Sequence, residues 1–164
     1  MKQPKTTKKF PLGKHQHASC ISDALRAAEK TCKERGLRLT PIRRRVLELV
    51  WASHEPVKAY DILDILRSER DSAAPPTVYR ALEFLLGEGL VHKIESLNAY
   101  VGCGEPGHAD AGQFLICAEC GEVAELDDLE LAKLIQQKAQ QMGFAIEEQV
   151  VEIKGSCAEC VGQN

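Results

Sequence analysis

Apolar residues return every three to four positions in four stretches of the first hundred residues, the spacing of amphipathic helices. Leu25, Ala28 and Cys32 share one face of a segment from about Ser22 to Arg35, and Gly36 supplies its stop. Thr40-Pro41 then offers an N-cap followed by a first-turn proline. Behind it Ile42, Val46, Leu49 and Val50 form a stripe, with Arg43, Arg44 and Arg45 largely off it. A third helix, about Ala59 to Glu69, is expected to bury Ile62, Leu63, Ile65 and Leu66 and to expose Tyr60, Asp64 and Arg67. Pro75-Pro76 breaks the chain before a fourth helix starting near Thr77, whose buried arc is Val78, Ala81, Leu82, Leu85 and Leu86. Arg80 lies opposite that arc, with Tyr79 and Glu83 on its flank.

After Gly87-Glu88-Gly89 the period shortens. Leu90–Ser96 and Ala99–Gly102 read as two short strands joined by a turn at Leu97-Asn98. Four helices closed by a hairpin describe a winged helix-turn-helix. From Gly104 onward the pattern changes again. Gln113–Cys117 and Glu122–Leu126 read as strands, and Asp127 or Asp128 caps a helix to Met142 with Leu131, Leu134, Ile135, Ala139 and Met142 on its apolar side. Ala145–Lys154 reads as extended. The fold class expected is therefore α+β: an N-terminal winged helix-turn-helix domain, then a small α/β dimerisation domain with a four-cysteine zinc site. The domain boundaries expected are a flexible basic arm 1–18, a DNA-binding domain 19–102, a metal-binding hinge 103–112 and a dimerisation domain 113–164. A core of that last size is marginal, so a structural metal or dimerisation is expected to support it.

Composition narrows the class. With 44% hydrophobic and 27% charged residues in 164, the chain can bury a core and does not read as disordered. No apolar run approaches the ~20 residues needed to cross a bilayer, and the start Met1-Lys2-Gln3-Pro4-Lys5 lacks a signal peptide's apolar stretch. No membrane contact and a cytoplasmic location are expected. The net charge of −3 hides a split: residues 1–102 hold 18 Lys and Arg against 12 Asp and Glu, whereas residues 103–164 hold 3 against 12. That asymmetry points to a nucleic-acid-facing front and a back that avoids DNA.

Seven cysteines in a reducing compartment point to metal, not disulfides. Cys117-x-x-Cys120 and Cys157-x-x-Cys160 are two knuckles, each able to present two thiolates to one ion. Four thiolates in tetrahedral array suit zinc and leave no open coordination position, which makes such a site structural. The 36 intervening residues exceed the usual ribbon spacing, but a helix and a strand between the knuckles can bring them together. His92, Cys103, His108 and Glu125 form a second candidate set near the domain junction. Spacing alone leaves it open, because His92 also suits a wing surface and Glu125 an acidic face with Glu122 and Asp127. Cys20 and Cys32 read as small hydrophobes.

The DNA-facing candidates are Thr77, Tyr79 and Arg80 at the start of the fourth helix, where an arginine can grip guanine O6 and N7 in the major groove. Tyr60 faces away from its own helix's apolar side, and Arg43, Arg44, Arg45 and Lys93 suit phosphates. Asp64 and Arg67 either pair on one helix surface or bridge two dimers side by side on DNA.

Four segments and two cysteine pairs together carry a resemblance: Arg38-Leu-Thr-Pro41, Ala59-Tyr-Asp-Ile-Leu63, Pro76-Thr-Val-Tyr-Arg80, Gly89-Leu-Val-His-Lys-Ile-Glu-Ser96 and the two Cys-x-x-Cys pairs. Across about residues 20–162 the chain resembles the ferric uptake regulator family, most closely its zinc-responsive branch. The resemblance implies a homodimeric winged-helix repressor that binds palindromic operator DNA when metal-loaded. It implies structural zinc on Cys117, Cys120, Cys157 and Cys160 and a sensing zinc on His92, Cys103, His108 and Glu125, so two zinc ions per subunit. It also implies base contacts at Tyr60 and Arg80. Iron-sensing relatives carry a His-rich run before the first Cys pair, whereas here the segment reads His108-Ala-Asp-Ala-Gly-Gln-Phe-Leu-Ile116. Two imidazoles, a thiolate and a carboxylate also favour zinc over manganese or ferrous iron. An enzyme is not expected: a zinc deaminase would need a His-x-Glu motif and a proline before Cys117, where Ile116 stands. The other readings are an iron, manganese or peroxide sensor of the same family, and a zinc-ribbon module that binds protein.

Overall fold

The computed structural model describes residues 17–53, 55–69, 73–104, 106 and 112–162. The described residues divide into two compact units, one reaching residue 108 and the other starting at residue 109.

The first unit holds four helices and a hairpin: α1 (His17–Glu34), α2 (Pro41–Val50), α3 (Ala59–Glu69), α4 (Pro75–Gly87), β1 (Val91–Ile94) and β2 (Ala99–Gly102). Helix α1 starts at His17, several residues earlier than its apolar stripe predicts, and Ile21 in that extra turn packs on the core. It ends as expected. Gly36 takes φ +66°, and the Leu37 N–H returns to the Cys32 carbonyl at 2.7 Å, the closing bond of a Schellman turn. Thr40 caps α2, its Oγ1 accepting from the Arg43 N–H, with Pro41 in the first turn. Pro75-Pro76 does not precede α4 but opens it, since the first helical N–H groups have no intrahelical acceptor and proline lacks none that the helix needs.

The core is one cluster. Val46, Leu47 and Val50 of α2 meet Ile62, Leu63 and Leu66 of α3 and Val78, Ala81, Leu82 and Leu85 of α4, with Ala28, Leu90 and Val91 closing it. Ile65, predicted buried, is instead exposed on α3: Ile62, Leu63 and Leu66 already fill that helix's contact with the core. In the wing, β1 and β2 pair antiparallel, His92 opposite Val101, and the turn is a 3₁₀ turn over Glu95–Leu97 with Asn98 at φ +47°. Val57 adds an isolated antiparallel bridge to β2, exchanging both backbone hydrogen bonds with Tyr100.

The second unit holds β3 (Gln113–Cys117), β4 (Val123–Glu125), α5 (Leu129–Gln141), β5 (Val151–Gly155) and a short α6 (Ala158–Val161). The sheet order is β4-β3-β5, with β4 antiparallel and β5 parallel to β3. The expected extended run Ala145–Lys154 forms a strand only from Val151, because the β3 ladder ends at the Gln113–Val151 pair and earlier residues have no rung to join. Asp128 caps α5 by accepting from the Glu130 and Leu131 N–H groups. Among its residues none is buried.

Candidate metal centre and nucleic-acid interface

The two knuckles are built by backbone turns at the ends of strands. After β3 the chain reverses through Gly121 at φ +76°, with the Gly121 N–H on the Cys117 carbonyl. After β5, Cys157 caps α6, and the Cys160 and Val161 N–H groups return to its carbonyl. Parallel pairing of β3 with β5 puts Cys117 opposite Gly155, and the Ala118 N–H bonds the Gly155 carbonyl at 2.8 Å. That pairing is what carries the second knuckle to the first across 36 residues.

Four sulfurs result, each with an Sγ within 4.8 Å of the others. Cys120 Sγ and Cys157 Sγ stand 3.9 Å apart. Zinc–sulfur bonds of about 2.3 Å directed to tetrahedral corners separate sulfurs by about 3.8 Å, whereas a disulfide needs about 2.05 Å. The spacing therefore fits a tetrathiolate ion site. Backbone N–H groups of Cys120 and Cys157 hold the Cys117 thiol down to about 7, the latter at 3.4 Å from its sulfur. Hydrogen bonding with the Cys157 sulfur, then burial, pushes Cys160 well up. Four neighbouring thiolates need a divalent cation to offset their repulsion. A feature with no sequence signal spans the knuckles: Ser156 Oγ donates to Glu119 Oε1 at 2.8 Å, which ties the second loop to the first.

Of the second candidate set, His92 and Cys103 lie in the first unit and present ligand atoms within 4.8 Å of each other. His92 comes from β1, and Cys103 follows β2, where its N–H bonds the Leu90 carbonyl at 3.1 Å. Cys103 is buried. Glu125 ends β4 in the second unit, paired with Phe114. His108 lies outside the described residues, as do residues 1–16 of the basic arm.

On the first turns of α4, Thr77, Tyr79 and Arg80 are exposed while Val78 is buried, as the helical wheel requires. Tyr60 on α3 is 66% exposed, so no packing explains its aromatic ring. The arginines of α2 are engaged. Arg44 pairs with Glu29 and Glu48, and Arg45 pairs with Glu69 and Glu48. The Arg43 guanidinium lies 3.5 Å from the Phe84 ring centroid and donates to the Arg38 carbonyl. Lys93 pairs with Glu95 at 2.8 Å. Exposed pairs of this kind contribute about 0–1 kcal/mol, so phosphates can compete for these side chains.

A winged-helix unit with an exposed recognition-helix face, followed by a four-sulfur unit, defines a metal-binding DNA regulator. Residues 34–154 match the ferric uptake regulator family, and the chain belongs to that family. It is 45% identical over 142 residues to the zinc uptake regulation protein of Escherichia coli K12, covering 85% of this chain and 82% of that protein. It is 32% identical over 130 residues to the ferric uptake regulation protein of Cupriavidus metallidurans, covering 77% and 89%. Among solved structures, a zinc uptake regulator complexed with zinc and DNA matches with a TM-score of 0.80 at 40% identity, covering 92% of this chain and 98% of that one.

Proposed function

We propose that this chain is a zinc-responsive transcriptional repressor that binds palindromic operator DNA as a zinc-loaded homodimer and controls zinc-uptake genes. The observation that carries this reading is its likeness, over nine-tenths of the chain, to a zinc uptake regulator complexed with zinc and DNA. The higher identity to a zinc than to a ferric regulation protein agrees with it.

Cys117, Cys120, Cys157 and Cys160 hold one zinc, which crosslinks β3 to the chain after β5 and supplies no open coordination position. His92, Cys103, His108 and Glu125 hold a second, giving two per subunit. Their N, S and O donors favour zinc over the harder divalent ions. These four ligands come from the wing, the connector and the strand after the first Cys pair, so occupancy orders the connector. Dimerisation uses α5 and the residues after it, where Leu134, Met142 and Phe144 are exposed within one chain. Two recognition helices must then match half-sites roughly 34 Å apart, and ordering the connector converts metal occupancy into operator affinity. A coupling of about 1–3 kcal/mol changes that affinity about 5–150-fold. On DNA, Arg80 and Tyr60 read bases, Thr77 and Tyr79 sit against the backbone, and Arg43, Arg44 and Lys93 neutralise phosphates. Asp64 and Arg67 are placed to bridge a second dimer alongside the first.

The test is a mobility-shift titration on a palindromic duplex recovered by selection, with zinc, iron(II) and manganese(II) varied separately. Zinc is expected to drive binding at the lowest free concentration. Cys103→Ser is expected to keep the four-cysteine zinc and the fold but to lose zinc-dependent binding. Binding unchanged in that variant refutes the sensing site, and tighter DNA binding with iron(II) refutes zinc as the signal.

A further inference from the structure

We infer that Trp51 is a positioning residue for the Cys103 ligand, acting through Gly102. This rests on the reading of His92 and Cys103 as ligands of the sensing metal, but it adds a device which that reading does not contain.

Gly102 is the last residue of β2 and immediately precedes Cys103. A Cβ built on Gly102 would lie 2.2 Å from Trp51 Cε2, 2.4 Å from Nε1 and 2.6 Å from Cδ2. The centre of the indole therefore occupies the place a side chain would take. The glycine is required for space and not for backbone freedom, since its φ lies outside the left-handed range. Trp51 is the C-cap of α2, its N–H bonded to the Leu47 carbonyl, and α2 is anchored by the fully buried Val46, Leu47 and Val50. The ring itself packs against the core cluster. Its Nε1 is buried with no hydrogen-bond partner among the described residues, so there packing alone holds it.

The end of the wing is thereby fixed from two directions. In the sheet, Gly102 pairs with Val91 and the Cys103 N–H bonds the Leu90 carbonyl. Across the sheet, the indole presses on Gly102. A methyl group there must gain more than an ångström to reach ordinary contact at 3.4 Å. A rigid bicyclic ring seated on the core cannot yield that distance by a rotamer change, so the strand end moves and carries Cys103 with it. Metal–ligand distances tolerate about 0.2 Å. A displacement several times larger degrades the site, whereas the four cysteines of the other unit keep their own backbone supports, which do not run through the wing strand.

The experiment uses the full chain and zinc itself. Gly102→Ala and Trp51→Leu are each expected to weaken the second zinc equivalent by roughly 10-fold to 100-fold, leaving the first unchanged. With cobalt(II) as probe, the thiolate-to-metal absorption of the second equivalent should fall in both. The double variant, which exchanges the large and small partners, should recover much of the lost affinity. Because the chain has one tryptophan, wild-type emission should respond to the second equivalent and not the first. Second-site affinity unchanged in both single variants overturns the inference, as does a double variant no better than the singles. If Gly102→Ala fails to fold by circular dichroism, Trp51→Leu, which removes bulk, decides alone. Cys103→Ser separates the two levels: second-zinc binding intact in that variant overturns the ligand reading itself, whereas its loss there with binding intact in Trp51→Leu overturns only the role of Trp51.

Discussion

Arg80 and Arg44 are both exposed cations of the winged-helix unit, yet they face different chemistry. Arg80 stands on the second turn of α4 with neighbours Thr77 and Tyr79 also exposed. Arg44 already shares its guanidinium between Glu29 and Glu48. Arg80→Ala is expected to cost about 1–3 kcal/mol of operator binding and to relax preference at one base pair. Arg44→Ala should instead weaken all duplexes alike and reduce the slope of log affinity against log salt by about 1. Fluorescence anisotropy over a salt series on specific and scrambled duplexes distinguishes them. Arg80 and Tyr60 are legible in the sequence because each lies off its own helix's apolar arc. Glu48, three and four positions on from Arg45 and Arg44, is legible in the same way, but Glu29 and Glu69 are not, since they arrive from other helices and only packing decides who meets whom. Trp51 escapes for the same reason: its partner Gly102 lies on another element, and a glycine leaves no pattern.

At the scale of elements, amphipathic period predicts where helices form but not what covers them. Helix α5 has its apolar side where expected, yet Leu134 is 50% and Met142 85% exposed. These residues are the ones available to the dimer contact proposed for α5. Leu134→Asp is therefore expected to shift the zinc-loaded protein from dimer to monomer in sedimentation velocity while preserving its helical signal. A second device in the same unit was hidden. Gln113 is fully buried at the start of β3, and its carboxamide bonds both the N–H of Asp128 at 3.1 Å and the carbonyl of Asp128 at 2.9 Å. It locks the N-terminus of α5 to the sheet. Replacing it by Leu leaves the Asp128 N–H without its partner, while the Asp128 carbonyl keeps the Ala132 N–H at 3.1 Å, and should cost about 1–3 kcal/mol in denaturant unfolding of the holo protein. A strand beginning with glutamine reads as an ordinary polar edge, and nothing local announces a partner 15 residues away.

For the molecule as a whole, the two units differ in what holds them together. The winged-helix unit has a cluster of sixteen buried residues between Leu25 and Tyr100. Among the described residues of the second unit only Gln113, Phe114, Ile116, Cys117, Val123 and Cys157 are buried, and two of those six are sulfur ligands of the proposed zinc. Within a single chain that burial leaves the unit's core marginal, so a crosslinking metal and a partner subunit must add to it. Structural zinc contributes about 10–16 kcal/mol in small zinc-binding peptides near neutral pH, enough to decide the balance. A strong chelator under reducing conditions should therefore unfold the second unit and leave the first folded. The expected record is a partial loss of helical signal, with one cooperative melt remaining that Cys117→Ser reproduces without chelator. Loss of every transition at once would mean that the winged helix depends on the metal unit for its fold. Retention of both would mean that the four sulfurs are not the unit's principal crosslink. The same experiment explains the charge split, because the basic winged helix would keep weak, salt-sensitive DNA binding after the acidic metal unit has melted, whereas operator specificity, which needs two helices at a fixed separation, would be gone.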